Sequence, residues 1–268
     1  MTIIQSIFLG ALQGITEFLP ISSSGHLVLL EHFLKIKHSA TELLIFDIIL
    51  HSGSLLALLI YFKSKWKQLI ISIWKYFSLK NNDQNKILIK VLILGTIPII
   101  GTALFAKDFI EQFCRNPFFV LMMMGLMGVI FLLVEKKSKP NQNKIKFKSG
   151  IIIGIMQSFA LLPGISRSGI TISTGIFQGI SRKTAAEFSF LLGTMSLIAA
   201  IFYVGLNIII KQQELLPLSL LISGLISSFL SSIISIHFLL KFLQKYSLKI
   251  FAFYLLIICF IGLIFLKI

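Results

Sequence analysis

The stretch "QGITEFLPISSSGH", residues 13–26, sets a carboxylate (Glu17), three consecutive serines, a glycine and His26 inside otherwise apolar sequence. A proline at position 20 and the Ser-Ser-Ser-Gly run cannot continue a regular membrane helix. The surrounding chain is 56% hydrophobic and 13% charged, with a mean hydropathy of +0.93. Soluble domains carry about a quarter charged residues, so the sequence is that of an integral membrane protein. A span needs about 20 mostly apolar residues. Six stretches qualify, near 43–62, 86–105, 117–134, 185–209, 216–240 and 249–267. The N-terminus lacks the charged start and small-residue cleavage site of a secretory signal, so the first helix is expected to belong to the mature fold. Cys114 and Cys259 are isolated and suggest neither a disulfide framework nor a metal knuckle.

The net charge of +15 is distributed by topology. Sixteen basic residues fall in the links 63–85, 135–149 and 241–249 and at Arg182 and Lys183. Six fall in the alternate links: Lys35, Lys37, Lys107, Arg115, Lys211 and Lys267. Such asymmetry puts the lysine-rich links in the cytoplasm, facing anionic lipid head groups. Nucleic acid is excluded as the partner of this charge.

The hydrophilic segment 135–149 divides the chain into halves, 1–134 and 150–268. "GALQGITEFLPISSSGH" (10–26) and "GIMQSFALLPGISRSGI" (154–170) align Gly10 with Gly154, Gln13 with Gln157, Ser22 with Ser166, Ser24 with Ser168 and Gly25 with Gly169. Further on, Asp47, Gly53 and Ser54 match Glu187, Gly193 and Thr194. The span 43–62 would begin outside and 185–209 inside, which is an inverted-topology repeat. For both spans to fit, 1–40 and 150–183 must enter and leave on one side. The expected fold is therefore all-α, with about six transmembrane helices and two re-entrant helical hairpins whose breaks meet near the midplane. Non-helical backbone is tolerated there only against protein or a wet cavity.

Of the ten acidic residues, Glu31, Glu42, Asp83, Asp108, Glu111, Glu135 and Glu214 stand beside polar links and are expected to be solvated. Glu17, Asp47 and Glu187 stand in apolar surroundings, as does Arg167. Ionisable groups at membrane depth usually mark function. Asp47 and Glu187 occupy matching positions and are expected to orient helices. Glu17 and Arg167 break the repeat, their counterparts being Leu161 and Ser23. "PGISRSGIT" (163–171) offers Ser166, Arg167, Ser168, Thr171 and backbone amides, equipment suited to a phosphate. Glu17 can hold a divalent cation or take a proton. His26 can serve as acid, base or nucleophile, and Ser22 and Ser23 as nucleophiles or phosphate ligands. His51 is expected to be structural; His32, His38 and His237 are assigned no role.

These two motifs, in a chain with this span pattern, closely resemble those of the bacterial undecaprenyl-diphosphate phosphatases, also called bacitracin-resistance proteins. The similarity extends over essentially the whole chain, including "SRKTAAEFSFLLGTMS". The resemblance implies an inner-membrane enzyme that depends on a divalent cation (Mg2+ or Ca2+). Its site, toward the extracytoplasmic face, would remove the terminal phosphate of undecaprenyl diphosphate and so recycle the carrier for peptidoglycan. The family's acidic motif falls on Gln13 and Glu17, with an amide at the first position, so the metal and proton duties shift to Glu17. Ser22, Ser24, Ser166, Ser168, Thr171 and Gln13 would bind substrate. The family's histidine matches His26 and its arginine Arg167. Ser23, His26 and an activated water are all candidate nucleophiles; the assignment taken is Ser23 with His26 as its base. Expected partners are the polyprenyl diphosphate, the bilayer and a second copy in a homodimer. A secondary transporter, or a flippase for the lipid phosphate, is the competing function, using the same residues without hydrolysis.

Overall fold

In the computed structural model the described residues are 1–34, 40–74, 84–139, 141–210 and 216–266. Lys35, Lys37, His38, Lys75, Lys80, Asp83, Lys211, Glu214 and Lys267 lie outside them, as do the side chains of Glu31, Glu42, Lys107, Asp108 and Glu111. The fold is all-α. In chain order the helices are α1 (Ile3–Phe18), α2 (Ser23–Leu34), α3 (Ala40–Tyr61), α4 (Lys63–Trp74), α5 (Gln84–Phe113), α6 (Pro117–Lys137), α7 (Phe147–Gln157), α8 (Arg167–Phe177), α9 (Arg182–Ile210), α10 (Leu218–Phe242) and α11 (Lys249–Leu266). A 3₁₀ turn, Ser158–Leu161, follows α7. Among the described residues five helices are long and apolar enough to cross a membrane: α5, α6, α9, α10 and α11. The sixth candidate is α3 with α4, bent by 76° at Phe62. α1 and the stretch Phe147–Leu161 are apolar but shorter.

α4 adds detail to one expectation. Residues 63–74 count as a basic cytoplasmic link in the sequence, yet they are helical. Lys63, Lys65 and Lys67 mask an apolar set in which Leu69 is fully packed, while Ile70, Ile71 and Ile73 face outward.

The two polar motifs do break their helices, and in the same way. A residue before proline is disfavoured in the α region; accordingly α1 stops and Leu19, before Pro20, is extended. Ser22 follows in the left-handed region (φ 71), and its hydroxyl accepts the Gly25 N–H at 3.2 Å, capping α2. In the second motif Gly164 takes φ 97, and Ser166 Oγ accepts the Gly169 N–H at 3.1 Å, capping α8. Aligned serines thus do aligned work.

Each half docks its first helix on the other half. On α1, a methyl at Gly10 would lie 2.5 Å from the Gly224 carbonyl oxygen of α10, and one at Gly14 2.4 Å from the Ser228 oxygen. On α7, a methyl at Gly154 would lie 2.3 Å from Gly95 Cα of α5. Lipid supplies no hydrophobic drive between helices, so small residues and polar links must hold them. α10 provides them: Ser227 Oγ donates to the Ile7 carbonyl (2.7 Å) and Ser228 Oγ to the Leu50 carbonyl (2.7 Å), while Ser6 Oγ donates to the Leu220 carbonyl (2.6 Å). Phe105, Phe202 and Phe260, all well exposed, suit the acyl chains around the bundle.

Glu135 is the first correction. Expected in solvent, its side chain is 2% exposed. It accepts from Arg182 Nε (3.0 Å) and Nη2, and from the Leu248 N–H (2.9 Å). One carboxylate at the end of α6 thereby ties the starts of α9 and α11. Glu187 is the second: it was expected at membrane depth, but its side chain is 43% exposed and 3.9 Å from Lys183. α9 starts at Arg182, which puts Glu187 in the helix's second turn beside a basic end.

Removing one partner of a buried ion pair costs roughly 3–5 kcal/mol. Glu135→Ala is therefore expected to lower Tm in detergent by several degrees, with part of the loss regained in Glu135→Leu/Arg182→Leu. An unchanged Tm in Glu135→Ala would contradict the clasp.

Candidate active site

The two breaks meet. Ser168 Oγ donates to the Leu19 carbonyl at 3.2 Å, and a methyl at Gly25 would lie 3.2 Å from Gly164 Cα. α2 and α8 both begin at this junction, so two positive helix ends face it. Across it Arg167 Nη2 donates to Glu17 Oε1 at 2.8 Å. Glu17 Oε2 accepts from Ser23 Oγ at 2.7 Å and from Gln13 Nε2 at 3.0 Å. The side chains of Arg167 and Glu17 are 14% and 7% exposed. Gln13 Oε1 and Arg167 Nη1, both buried, have no hydrogen-bond partner within the protein. An acceptor and a cationic donor are thus left for something else.

Arg167 is positioned by absence of bulk. A methyl at Gly193 on α9 would lie 2.0 Å from Nη1, so the guanidinium lies flat in a slot that only a glycine leaves open. Gly193, aligned with Gly53 in the sequence, has its own duty here.

The remaining predicted residues divide. Ser23 and Ser24 line a cavity of about 400 Å³ that also reaches Asp47 and His51. Ser22 and Ser166 cap helices, and Ser166 and Ser168 share a hydrogen bond of 3.1 Å. Thr171 Oγ1 lies against Ser189 Oγ (2.6 Å) and the Arg167 carbonyl (2.8 Å). These hydroxyls are engaged by the protein, so phosphate contacts from them need rearrangement. His26 is turned away from Ser23: Nδ1 bonds the Ser22 carbonyl (2.7 Å) and Nε2 the Tyr254 hydroxyl (2.7 Å), with the two rings stacked. Because a carbonyl only accepts, Nδ1 carries the hydrogen and Nε2 receives the Tyr254 O–H. The imidazole ties α2 to α11, and it is not aligned as a base for Ser23.

His51 takes a place expected of His26. Its Nδ1 bonds the Asp47 carbonyl (2.7 Å), and its Nε2 lies 3.7 Å from Glu17 Oε2 on the cavity wall. The sequence separation of 34 residues between Glu17 and His51 hides this, because only the packing of α3 against α1 brings them together; the nearby repeat pair Gly53–Ser54 was the available signal.

Displacing one positioned donor costs on the order of 10²–10³-fold in rate. Gly193→Val is expected to lower turnover by at least tenfold and Tm by several degrees, since the whole guanidinium, Nη2 on Glu17 included, must move; wild-type turnover would contradict the slot. His51→Ala is expected to lower kcat/KM by at least tenfold; unaltered kinetics would return His51 to the scaffold.

The profile of the family described as "Bacitracin resistance protein BacA" matches residues 6–261. A protein named "Undecaprenyl-diphosphatase" from Elusimicrobium minutum is 39% identical over 194 residues, 72% of each chain. Another of that name, from Syntrophotalea carbinolica, is 37% identical over 202 residues, 75% of each chain. "Undecaprenyl-diphosphatase 3" of Bacillus cereus is 35% identical over 257 residues, 95% of this chain and 93% of that one. With the profile and the full-length relative agreeing from end to end, the chain belongs to the bacitracin resistance protein BacA family.

Proposed function

We infer that this multi-pass membrane protein hydrolyses undecaprenyl diphosphate to undecaprenyl phosphate and inorganic phosphate, recycling the lipid carrier of envelope synthesis. The observation that carries the chemistry is Glu17, bonded at once to the Ser23 hydroxyl and the Arg167 guanidinium. Ser23 Oγ attacks the terminal phosphorus and its proton passes to Glu17 Oε2. The anhydride P–O bond breaks, its electron pair leaving on the lipid monophosphate, which takes the proton back from Glu17. Water then attacks the phosphoserine; Glu17 receives its proton and returns it to Ser23 as inorganic phosphate leaves. Arg167 Nη1 and the start of α8 bind the growing charge.

The donor set fits a hard divalent cation. Gln13 Oε1 is a buried acceptor without a protein donor, beside the Glu17 carboxylate and the Ser23 hydroxyl. Mg2+ is commonly held by one or two carboxylates together with substrate phosphates. Among the described residues no three His, Cys, Asp or Glu side chains group for a metal, which favours an ion shared with the diphosphate over an all-protein cage. Glu17 and Gln13 would hold it, and it would neutralise phosphate charge.

The fold supports two re-entrant hairpins in an inverted repeat: aligned caps, and each first helix seated on the opposite half. The cavity is lined by the start of α3 and the distal parts of α5 and α9, ends joined by lysine-poor links, which favours the extracytoplasmic face of the inner membrane. Glu17, Ser23 and Arg167 come from one chain, so a homodimer is not needed to complete the site. Transport without hydrolysis is not favoured, since the relatives are named as phosphatases.

Purified full-length protein with polyprenyl diphosphate and Mg2+ is expected to release phosphate, and Glu17→Gln and Ser23→Ala to lose at least a hundredfold. Absence of release from the parent protein, with or without Mg2+ or Ca2+, would overturn the assignment. Full activity in Ser23→Ala would remove the serine from the attack while leaving hydrolysis intact.

A further inference from the structure

α6 and α11 run antiparallel and in close contact. A methyl at Gly128 would lie 2.9 Å from the Ala252 carbonyl oxygen, and one at Gly125 2.8 Å from Cys259 Sγ. The end of α6 and the start of α11 are fixed together as well, because Glu135 accepts the Leu248 N–H at 2.9 Å. Lys136 follows that acid and Lys249 follows that amide, and both side chains are exposed. Residues 117–139 and 241–266 carry six lysines and one acid, Glu135, and Arg182 occupies that acid at 3.0 Å. The rim where α6 and α11 meet is therefore cationic, with its own acid already engaged.

Helical spacing continues this rim into an apolar stripe. Back along α6 from Lys136, residues three and seven positions away are Leu133 and Val129, 50% and 44% exposed. Along α11 from Lys249, residues four and eight positions away are Phe253 and Ile257, 56% and 55% exposed. Residues at such intervals share a helix face. In an antiparallel pair, the positions just after Gly128 and just after Ala252 turn to the same side of the contact. Two lysines thus head one outward-facing seam whose walls are Val129, Leu133, Phe253 and Ile257.

We propose that the α6–α11 seam is a seat for an anionic phospholipid, with Lys136 and Lys249 holding the head-group phosphate and the four apolar side chains lining its acyl chains. None of these residues belongs to the Glu17–Arg167 junction, so the seat goes beyond the phosphatase assignment. The charge sits where the head groups of a bilayer meet its hydrocarbon, at the ends of two spanning helices. A soluble acidic protein would cover the lysines and leave the stripe unmatched. A second copy of this chain would set lysines against lysines. Each basic residue beside an anionic surface is worth about fivefold in affinity, so two favour the anionic lipid over a zwitterionic one by about 25-fold.

The test uses the full chain in nanodiscs doped with phosphatidylglycerol or phosphatidylcholine, each carrying a diazirine near the glycerol. Label is expected on peptides covering 129–137 and 249–257, at least tenfold more from phosphatidylglycerol. Lys136→Gln/Lys249→Gln should cut that label at least tenfold with Tm in detergent unchanged, while Lys136→Arg/Lys249→Arg keeps it. Phosphate release from a detergent-dispersed polyprenyl diphosphate should stay within twofold in both variants. Equal labelling by the two lipids, or full labelling of the glutamine variant, would overturn the proposal. Stronger displacement of the label by polyprenyl diphosphate than by unlabelled phosphatidylglycerol would also overturn it, because the seam would then serve the substrate. A parent protein that takes the label but releases no phosphate would overturn the phosphatase assignment alone and leave the seat standing.

Discussion

An ion pair across a gap between broken helices organises this protein. Arg167 and Glu17 belong to different halves, 150 residues apart, and each would be costly alone at membrane depth. Together, with Ser23 and Gln13 completing the carboxylate, they make the junction of the two motifs the most favourable place for either charge. The broken backbone is tolerated because the caps of α2 and α8 and the Ser168–Leu19 bond satisfy its polar groups. The same cluster leaves Arg167 Nη1 and Gln13 Oε1 unengaged, so the interaction that holds the fold stands beside a buried cationic donor and a buried acceptor.

The repeat separates scaffold from chemistry. Positions that recur in both motifs, Ser22 with Ser166 and Gly25 with Gly169, do matched structural work. Gln13 and Gln157 are both fully buried, yet only Gln13 has a carboxylate to address; Gln157 faces no such partner because its half has Leu161 in the corresponding place. Asymmetry at Glu17, Arg167 and Ser23 is what sets one cluster apart from the positions that recur in the two motifs.

Much of this was legible in the sequence. Prolines and serines in apolar runs marked the breaks, and an acid and an arginine without counterparts stood out, though not as partners of each other. What stayed hidden depends on which helices become neighbours. Glu135 looked solvated because its partners, Arg182 and the Leu248 N–H, come from distant segments. His51 looked structural because its approach to Glu17 depends on α3 packing directly against α1. α4 was lost among lysines that outweigh Leu69 in any count. The seam on α10 is built from serines at 223, 227, 228, 231 and 235, spacing that puts them along a helix face, and only the docked α1 says what the hydroxyls are for.

The exchange of first helices between halves has a consequence in time. Ser6 on α1 accepts from Ser223 on α10, 217 residues later. At synthesis rates of about 5–20 residues per second, the chain emerges for roughly 10–40 s before α1 can meet the surface that covers Gly10 and Gly14. Until then a short helix carrying Gln13 and Glu17 must be sheltered by the insertion machinery or lie along the interface. Assembly of this membrane protein therefore has a built-in waiting period between the synthesis of α1 and its seating on α10.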